Sequence, residues 1–327
     1  MIIDCHAHYT TAPASLAKFR QRQLSADGLV AEPLISDDEL RESVETKQLA
    51  EMQLRGTDRV LFSPKASAMG HDASDPAAAA AWSRVNNDVI GRLAGLYPDQ
   101  FVPVAQLPQT PSGSITECVS ELRRVADGLG FVGCNLNPDP SGGLWTGPPM
   151  TDASWFPLYE TLVELGIPAM IHVSTSAVDA VSTLGAHYLN ADTTVFMQLV
   201  LGDVFEHFPD LRLVIPHGGG AVPYHWGRFR GLASRFGRPD PELLLRNVFF
   251  DTAVYHPEGV RLLVDTVGAR NLLFASEMLG AIPGEREPES GELIDDTKRY
   301  IDRLGLSAED ASLIFEGNAR RVYSRLR

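Results

Sequence analysis

Positive charge is scarce in this chain: 28 Lys and Arg stand against 42 Asp and Glu, and 327 residues carry a formal net charge of −14. A nucleic-acid partner needs clustered cations to replace phosphate counterions, so that class is excluded. An anionic substrate would have to find its positive charge inside a pocket. Cysteine is also rare. Cys5, Cys118 and Cys134 show no CxxC or paired spacing, which excludes a disulfide framework and fits a reducing cytoplasm. No apolar run approaches the roughly 18 residues of a membrane span. No basic-then-apolar leader precedes the first core strand, which begins at Ile2. No Gly-rich dinucleotide turn follows that strand, which argues against an open doubly wound sheet. With 44% hydrophobic and 21% charged residues, and no internal repeat or linker, the expectation is one soluble domain over residues 1–327.

Against those absences, the first eight residues, MIIDCHAH, are dense in chemistry. Asp4, His6 and His8 fall at every second position, and side chains two apart on a strand share a face. The strand reading therefore puts all three on one face, where two imidazoles can grip one ion. Tyr9 to Ile35 reads as a polar excursion with no clear period. Ser36-Asp37-Asp38-Glu39 then reads as a capping box, followed by a helix with Leu40, Val44, Leu49 and Met52 on its apolar side and Gly56 at its end. Short apolar runs recur at Arg59–Phe62, Phe101–Leu107, Phe131–Leu136, Pro168–Val173, Leu211–Pro216, Val248–Ala253 and Leu272–Ala275. Amphipathic stretches such as Ser114–Leu129 and Thr194–Phe208 lie between them. Eight short apolar strands alternating with helices predict a parallel (β/α)₈ barrel. A helical tail, Asp295–Leu304 and Ala308–Arg325, closes the chain.

Barrel enzymes place their chemistry at the C-terminal ends of the strands. Here those ends read His6-Ala7-His8 on strand one, His172 on strand five, His217 before three glycines on strand six, and Glu277 on strand eight. Any one of these has a plain structural explanation, such as a core histidine bonded to a carbonyl or a glutamate paired with an arginine. Four at matching strand ends point to a site for zinc or a similar divalent ion.

That order of ligands resembles the amidohydrolase superfamily. The closing Glu316-Gly317-Asn318-Ala319-Arg320-Arg321 resembles the end of its decarboxylase-like branch. Longer runs narrow the likeness to hydratases of that branch: DCHAHYTTAP, NLNPDPSGG from Asn135, MIHVSTS from Met170, GAHYLNADTT from Gly185, IPHGGGAVPYHWGRFRG from Ile215 and FASEM from Phe274. Most of the branch carries Asp where this chain has Glu277. The likeness implies metal ligands His6, His8, His172 and Glu277. It also implies a single ion, zinc, because strand four ends in Asn135-Leu136-Asn137 without the lysine that bridges two metals in binuclear members.

The likeness further implies a hydro-lyase adding water to an activated C=C bond of a small tricarboxylate, with metal-dependent decarboxylation as the alternative. Glu277, His217 and His172 are then the catalytic candidates. Lys65, Asn135, Tyr188, Asn190 and Arg228 are the substrate-binding candidates, with Arg230 as a further local cation. Asp251 is a candidate to orient His217 or to serve structure. His71, Tyr255 and His256 have no role in this reading. The aromatic surface near Trp226 suggests a homodimer.

Overall fold

Residues 1–25 and 30–326 are described by the computed structural model of the chain. The strands are β1 (Ile3–Tyr9), β2 (Arg59–Pro64), β3 (Phe101–Gln106), β4 (Gly133–Leu136), β5 (Ala169–Ile171), β6 (Leu213–Ile215), β7 (Val248–Asp251) and β8 (Leu272–Leu273). They pair in chain order, all parallel. The ring is joined by Cys5 N donating to Phe274 O at 2.8 Å and Glu277 N donating to His6 O at 3.0 Å. This is the expected (β/α)₈ barrel.

The strands sort their side chains into two shells, as an alternating buried strand must. Phe62, Phe101, Leu136, Ile171, Ile215, Phe250 and Phe274 face the helical layer. Ile3, Leu61, Val102, Val104, Met170, Val214, Phe249 and Leu273 fill the barrel axis. The floor of that inner core is closed by the C-terminal helix Asn318–Val322 and the residues after it. Ala319, Val322, Tyr323 and Leu326 belong to the inner cluster. Tyr323 lies so close beneath β4 that a Cβ on Gly133 would sit 2.7 Å from its Cε1.

One feature of β1 overturns the expected alternation. Its register against β2 shifts between Asp4 and Ala7. Below that bulge Ile3 and Cys5 point to the axis; above it Ala7 and Tyr9 join the outer shell. Asp4 therefore does not share a face with the two histidines. Its carboxylate instead accepts from Ser276 Oγ at 2.5 Å, Ser276 N at 3.2 Å and His6 N at 3.0 Å, stitching β1 to the end of β8. Burial pushes its carboxyl up to about 6, against the pull of those bonds.

The capping box is present: Glu39 N donates to Ser36 Oγ and Ser36 N donates to Glu39 Oε2. The excursion after Tyr9 is more ordered than its pattern suggests, because a helix runs over Ala14–Ser25 with Leu16 and Phe19 buried; positions 26–29 of the excursion lie outside the described residues. The helix expected at Thr194–Phe208 begins earlier, at Tyr188, behind a π-helical turn Thr183–His187, and stops at Gly202, where the chain turns extended.

Truncating Tyr323 to Ala should open a cavity in the barrel floor and lower the unfolding free energy by about 3–5 kcal/mol. Urea unfolding checks this, and a loss well below 1 kcal/mol would mean that the C-terminal segment does not seal the barrel.

Candidate active site

Above the apolar floor the axis turns polar. His6 and His8 lie past the β1 bulge, His172 follows β5, His217 follows β6, Asp251 ends β7 and Glu277 follows β8. Nε2 of His8 lies 3.1 Å from Nε2 of His6 and 3.2 Å from Nε2 of His172. His6, His172, His217 and Glu277 each offer an atom, and these atoms all lie within 4.8 Å of one another.

Each imidazole is pinned through its other nitrogen. His6 Nδ1 meets Asp251 Oδ2 at 2.7 Å, and His172 Nδ1 meets the Val173 carbonyl at 2.8 Å. Carboxylates and carbonyls only accept, so both Nδ1 atoms carry the proton. His8 Nδ1 lies 2.8 Å from Ser63 Oγ, which also accepts from Asn135 Nδ2 at 3.1 Å and has the Pro64 carbonyl at 3.2 Å for its own proton. His8 Nδ1 is thus the donor there as well. Burial first, then the neighbouring imidazoles, hold His8 and His172 well below the ordinary histidine range.

The result is three buried Nε2 lone pairs aimed at one another. A single proton on His8 Nε2 could bridge one of its two contacts and would leave the other repulsive. A cation relieves both. Three nitrogens at about 2.0–2.1 Å from a tetrahedral ion are spaced roughly 3.3–3.4 Å apart, close to the separations seen. The donor set fits a divalent metal, and the pinned Nδ1 atoms are the outer partners that metal-binding histidines require.

His217 is held differently. Its Nδ1 lies 2.9 Å from Asp192 Oδ2, and its Nε2 is buried without a partner among the described residues. Burial alone would lower its pKa. The charge and hydrogen bond of Asp192, helped by Glu277 and Asp251, outweigh that and raise it to about 9. The ring is therefore a cation at neutral pH in the metal-free protein. Asp192 was not singled out by its sequence; the only signal is its place four residues after Tyr188, one turn along the same helix. It takes the orienting role that Asp251 was a candidate for. Asp251 instead holds His6 with Oδ2, while its Oδ1 accepts from Ala253 N at 3.1 Å.

The π-helical turn Thr183–His187 turns the next helix so that His187, Tyr188 and Asp192 are all buried, a use to which such turns are often put. Tyr188 stacks on His217 with ring centroids 5.5 Å apart and meets His172 edge-on at 4.9 Å. Asn190 is exposed, because two residues along a helix is about 200° around it. No hydrogen bond ties the Asn190 side chain to the histidine cluster among the described residues.

Lys65 is exposed at the end of β2, close enough that its charge helps to depress His8. Arg228 is exposed in the first turn of the helix Trp226–Arg235; no hydrogen bond ties it to the histidine cluster among the described residues. Arg230 pairs with Asp240 at the surface, 3.0 Å away. Asn135 gives its amide to Ser63 and acts behind His8. His71 accepts from Asn137 Nδ2 at 2.7 Å, and its backbone N donates to Ser174 Oγ at 3.4 Å; burial takes its pKa down to about 4. His256 accepts from Gly259 N at 3.0 Å and caps a helix.

Tyr255 is the functional residue that sequence reasoning left without a role: its hydroxyl donates to Glu277 Oε2 at 2.7 Å. Burial, and then the Glu277 charge, push that hydroxyl well above the ordinary tyrosine range. His217, Tyr255 and Glu277 have φ of 50°, 57° and 49°. A left-handed backbone is costly for residues with a Cβ and tends to gather at functional sites. Here it marks the ends of three consecutive strands.

The amidohydrolase family pattern matches residues 3–325. The chain is 51% identical, over all of its own length and 97% of the relative's, to a 2-keto-4-carboxy-3-hexenedioate hydratase of Sphingobium sp. (strain NBRC 103272 / SYK-6). It superposes with a TM-score of 0.91 and 50% identity on the crystal structure of a 4-oxalomesaconate hydratase from Rhodopseudomonas palustris, covering 99% of this chain and 96% of that one. A dihydroxybenzoic acid decarboxylase from Polaromonas sp. JS666, solved with bound manganese, shares the fold at a TM-score of 0.75 and 17% identity, covering 100% and 97%.

Elemental analysis of protein purified without added metal should find one divalent ion per chain; two per chain would contradict the site as described. In the metal-free protein the raised His217 pKa has a further consequence. A group whose folded pKa lies above its unfolded value stabilises most below the unfolded pKa, here about 6.5, and that contribution is lost as pH rises through about 9. The metal-free protein should lose on the order of 3 kcal/mol of stability between pH 6.5 and 9.5. His217→Gln should flatten that limb in melting curves taken across the range.

Proposed function

The chain belongs to the amidohydrolase family, and from that premise we propose that it hydrates 4-oxalomesaconate (2-keto-4-carboxy-3-hexenedioate) to 4-carboxy-4-hydroxy-2-oxoadipate, a step of protocatechuate 4,5-cleavage. The observation that carries the reading is the pair Glu277 and His217, which meet across the histidine cluster within 4.8 Å. One is a carboxylate able to accept a proton and the other an imidazole whose ring is held by Asp192. Full-length identity of about one half to two hydratases supports it.

His6, His8, His172 and Glu277 would hold the ion, and zinc fits the imidazole-rich set. When bound, a divalent ion supplies Lewis acidity, lowering the pKa of a water from about 15.7 toward 7 and polarising substrate oxygens. Glu277 takes the proton of the attacking water as its oxygen adds to the carbon of the double bond remote from the ketone. The electron pair of the C=C bond moves toward that ketone as an enolate. His217, oriented by Asp192 through Nδ1 and presenting its buried Nε2 to the site, faces the growing negative charge and is the proton donor. Hydroxyl and hydrogen are thereby added across the bond, and the water is balanced.

Lys65 supplies a positive charge for a substrate carboxylate, and Tyr188 supplies a neutral donor beside His217. Charge-assisted hydrogen bonds of this kind are the strong ones in a desolvated pocket. A cytoplasmic homodimer belongs to the same reading. Tyr224 is 77% exposed next to the partly buried Trp226, and an aromatic surface of that kind suits a second copy. Metal-dependent decarboxylation is the second reading, favoured by the decarboxylases that share this fold. Glu277 works against it, since the decarboxylase-like branch mostly carries a shorter Asp there.

Incubating the purified protein with 4-oxalomesaconate should remove the conjugated absorbance without release of carbon dioxide. Carbon dioxide release in step with substrate loss would establish the second reading instead. Glu277→Gln should fold, keep its metal on the three histidines and lose about 10²–10⁴ in kcat. A metal-replete Gln variant with parental kcat would remove Glu277 as the base and leave His217 in its place.

A further inference from the structure

Glu277 reaches into the site from an unusual backbone. Its φ is +49°, Leu279 two residues on has φ +61°, and Gly280 N donates back to Glu277 O at 2.8 Å. The tight turn folds the glutamate side chain over Gly280. A Cβ built on Gly280 would lie 2.6 Å from the Glu277 carbonyl oxygen, 2.7 Å from Glu277 Cγ and 2.9 Å from its Cδ. Gly280 does not have a left-handed φ, so what position 280 requires is room, and the room is for the Glu277 carbonyl of the turn and for the stem of its side chain.

Tyr255 approaches the same carboxylate from the end of β7. Pro257 restricts His256 to extended backbone, and His256 has φ −151°. The chain therefore makes its turn one residue earlier, at Tyr255, with φ +57°. That turn delivers the hydroxyl to Glu277 Oε2 at 2.7 Å. A phenol is protonated at neutral pH, so it donates and Oε2 accepts. Two left-handed residues on neighbouring loops thus meet in one short hydrogen bond.

We infer that Tyr255 and Gly280 form a seat for the Glu277 carboxylate: Gly280 leaves space for the turn and the stem, Tyr255 holds Oε2, and the carboxylate so held is kept at the histidine cluster. The seat answers a problem that glutamate creates. One more methylene than aspartate gives reach but adds a rotatable bond, and a base about 1 Å out of place can cost roughly a hundredfold in rate. Tyr255 and Gly280 are positioning residues, acting through Glu277. The inference rests on the hydratase reading for its rate effects and stands apart from it for metal retention.

The test uses the metal-loaded full-length protein, Tyr255→Phe, Gly280→Ala, Glu277→Gln and the double variant Tyr255→Phe/Glu277→Gln. Tyr255→Phe should lower kcat about ten- to hundredfold with KM within about twofold of the parent. It should carry one metal per chain as purified and lose that metal to EDTA severalfold faster than the parent. Gly280→Ala should behave in the same direction. In the Glu277→Gln background the Tyr255 change should have little further effect on kcat, because the amide that Tyr255 still holds cannot take the proton of the attacking water. A packing role for Tyr255 predicts losses that multiply in the double variant. Parental kcat and metal-loss rate in Tyr255→Phe, or multiplying losses, would overturn the seat. If the parent itself fails to hydrate 4-oxalomesaconate, the functional reading falls while the EDTA comparison still decides the seat.

Discussion

The structure depends on keeping imidazole lone pairs bare while crowding them together in a buried space. His8 Nε2 lies 3.1 Å from that of His6 and 3.2 Å from that of His172, an arrangement with no attraction of its own. Each ring is held by a second contact on Nδ1: Asp251, Ser63 and the Val173 carbonyl. These contacts choose the tautomer and fix the ring plane. The repulsion left over is what gives the site its affinity for a cation, since metal binding relieves it. The outer partners are therefore as much a part of the site as the ligands.

The barrel makes this crowding possible by dividing its axis into two levels. The lower level is apolar and sealed by Tyr323 and Val322, and it supplies stability. The upper level carries the polar groups, each at a strand end. The bulge in β1 is the hinge between them. Without the extra residue, strict alternation would leave Cys5 on the axis and put His6 and His8 on the outer shell. With it, Cys5 packs below and both histidines turn inward above. Bulges often re-aim a side chain next to an active site. Asp4, displaced to the β1–β8 seam, holds the two strands that carry His6 and Glu277 together.

Strain is concentrated where proton transfer is proposed. His217, Tyr255 and Glu277 adopt left-handed backbone, a conformation that costs of order 1–3 kcal/mol each. The rest of the barrel holds them there. His217 is fixed by Asp192 and by stacking on Tyr188, and Glu277 by the Tyr255 hydroxyl and by its backbone N–H bonded to His6 O. The proposed acid and base, within 4.8 Å of each other, are in this way each held by a partner of their own.

The sequence by itself determined the barrel and the polar strand ends. Eight short apolar runs alternating with helices point to it, and His6, His8, His172, His217 and Glu277 fall at those ends because strand ends are local features. The capping box at Ser36 was legible for the same reason. The tertiary structure decided whatever depends on register or on distant partners. Alternation could not reveal that a bulge moves Asp4 off the histidine face. Helical periodicity could not show that a π-helical turn puts Tyr188 and Asp192 inward and Asn190 outward. Nothing local pairs Asp192 with His217, 25 residues away, Asp251 with His6, 245 residues away, or Tyr255 with Glu277, 22 residues away. A strand pattern specifies where a side chain can stand, but the proton on its nitrogen or the aim of its carboxylate is set by whichever group the closed barrel brings to meet it.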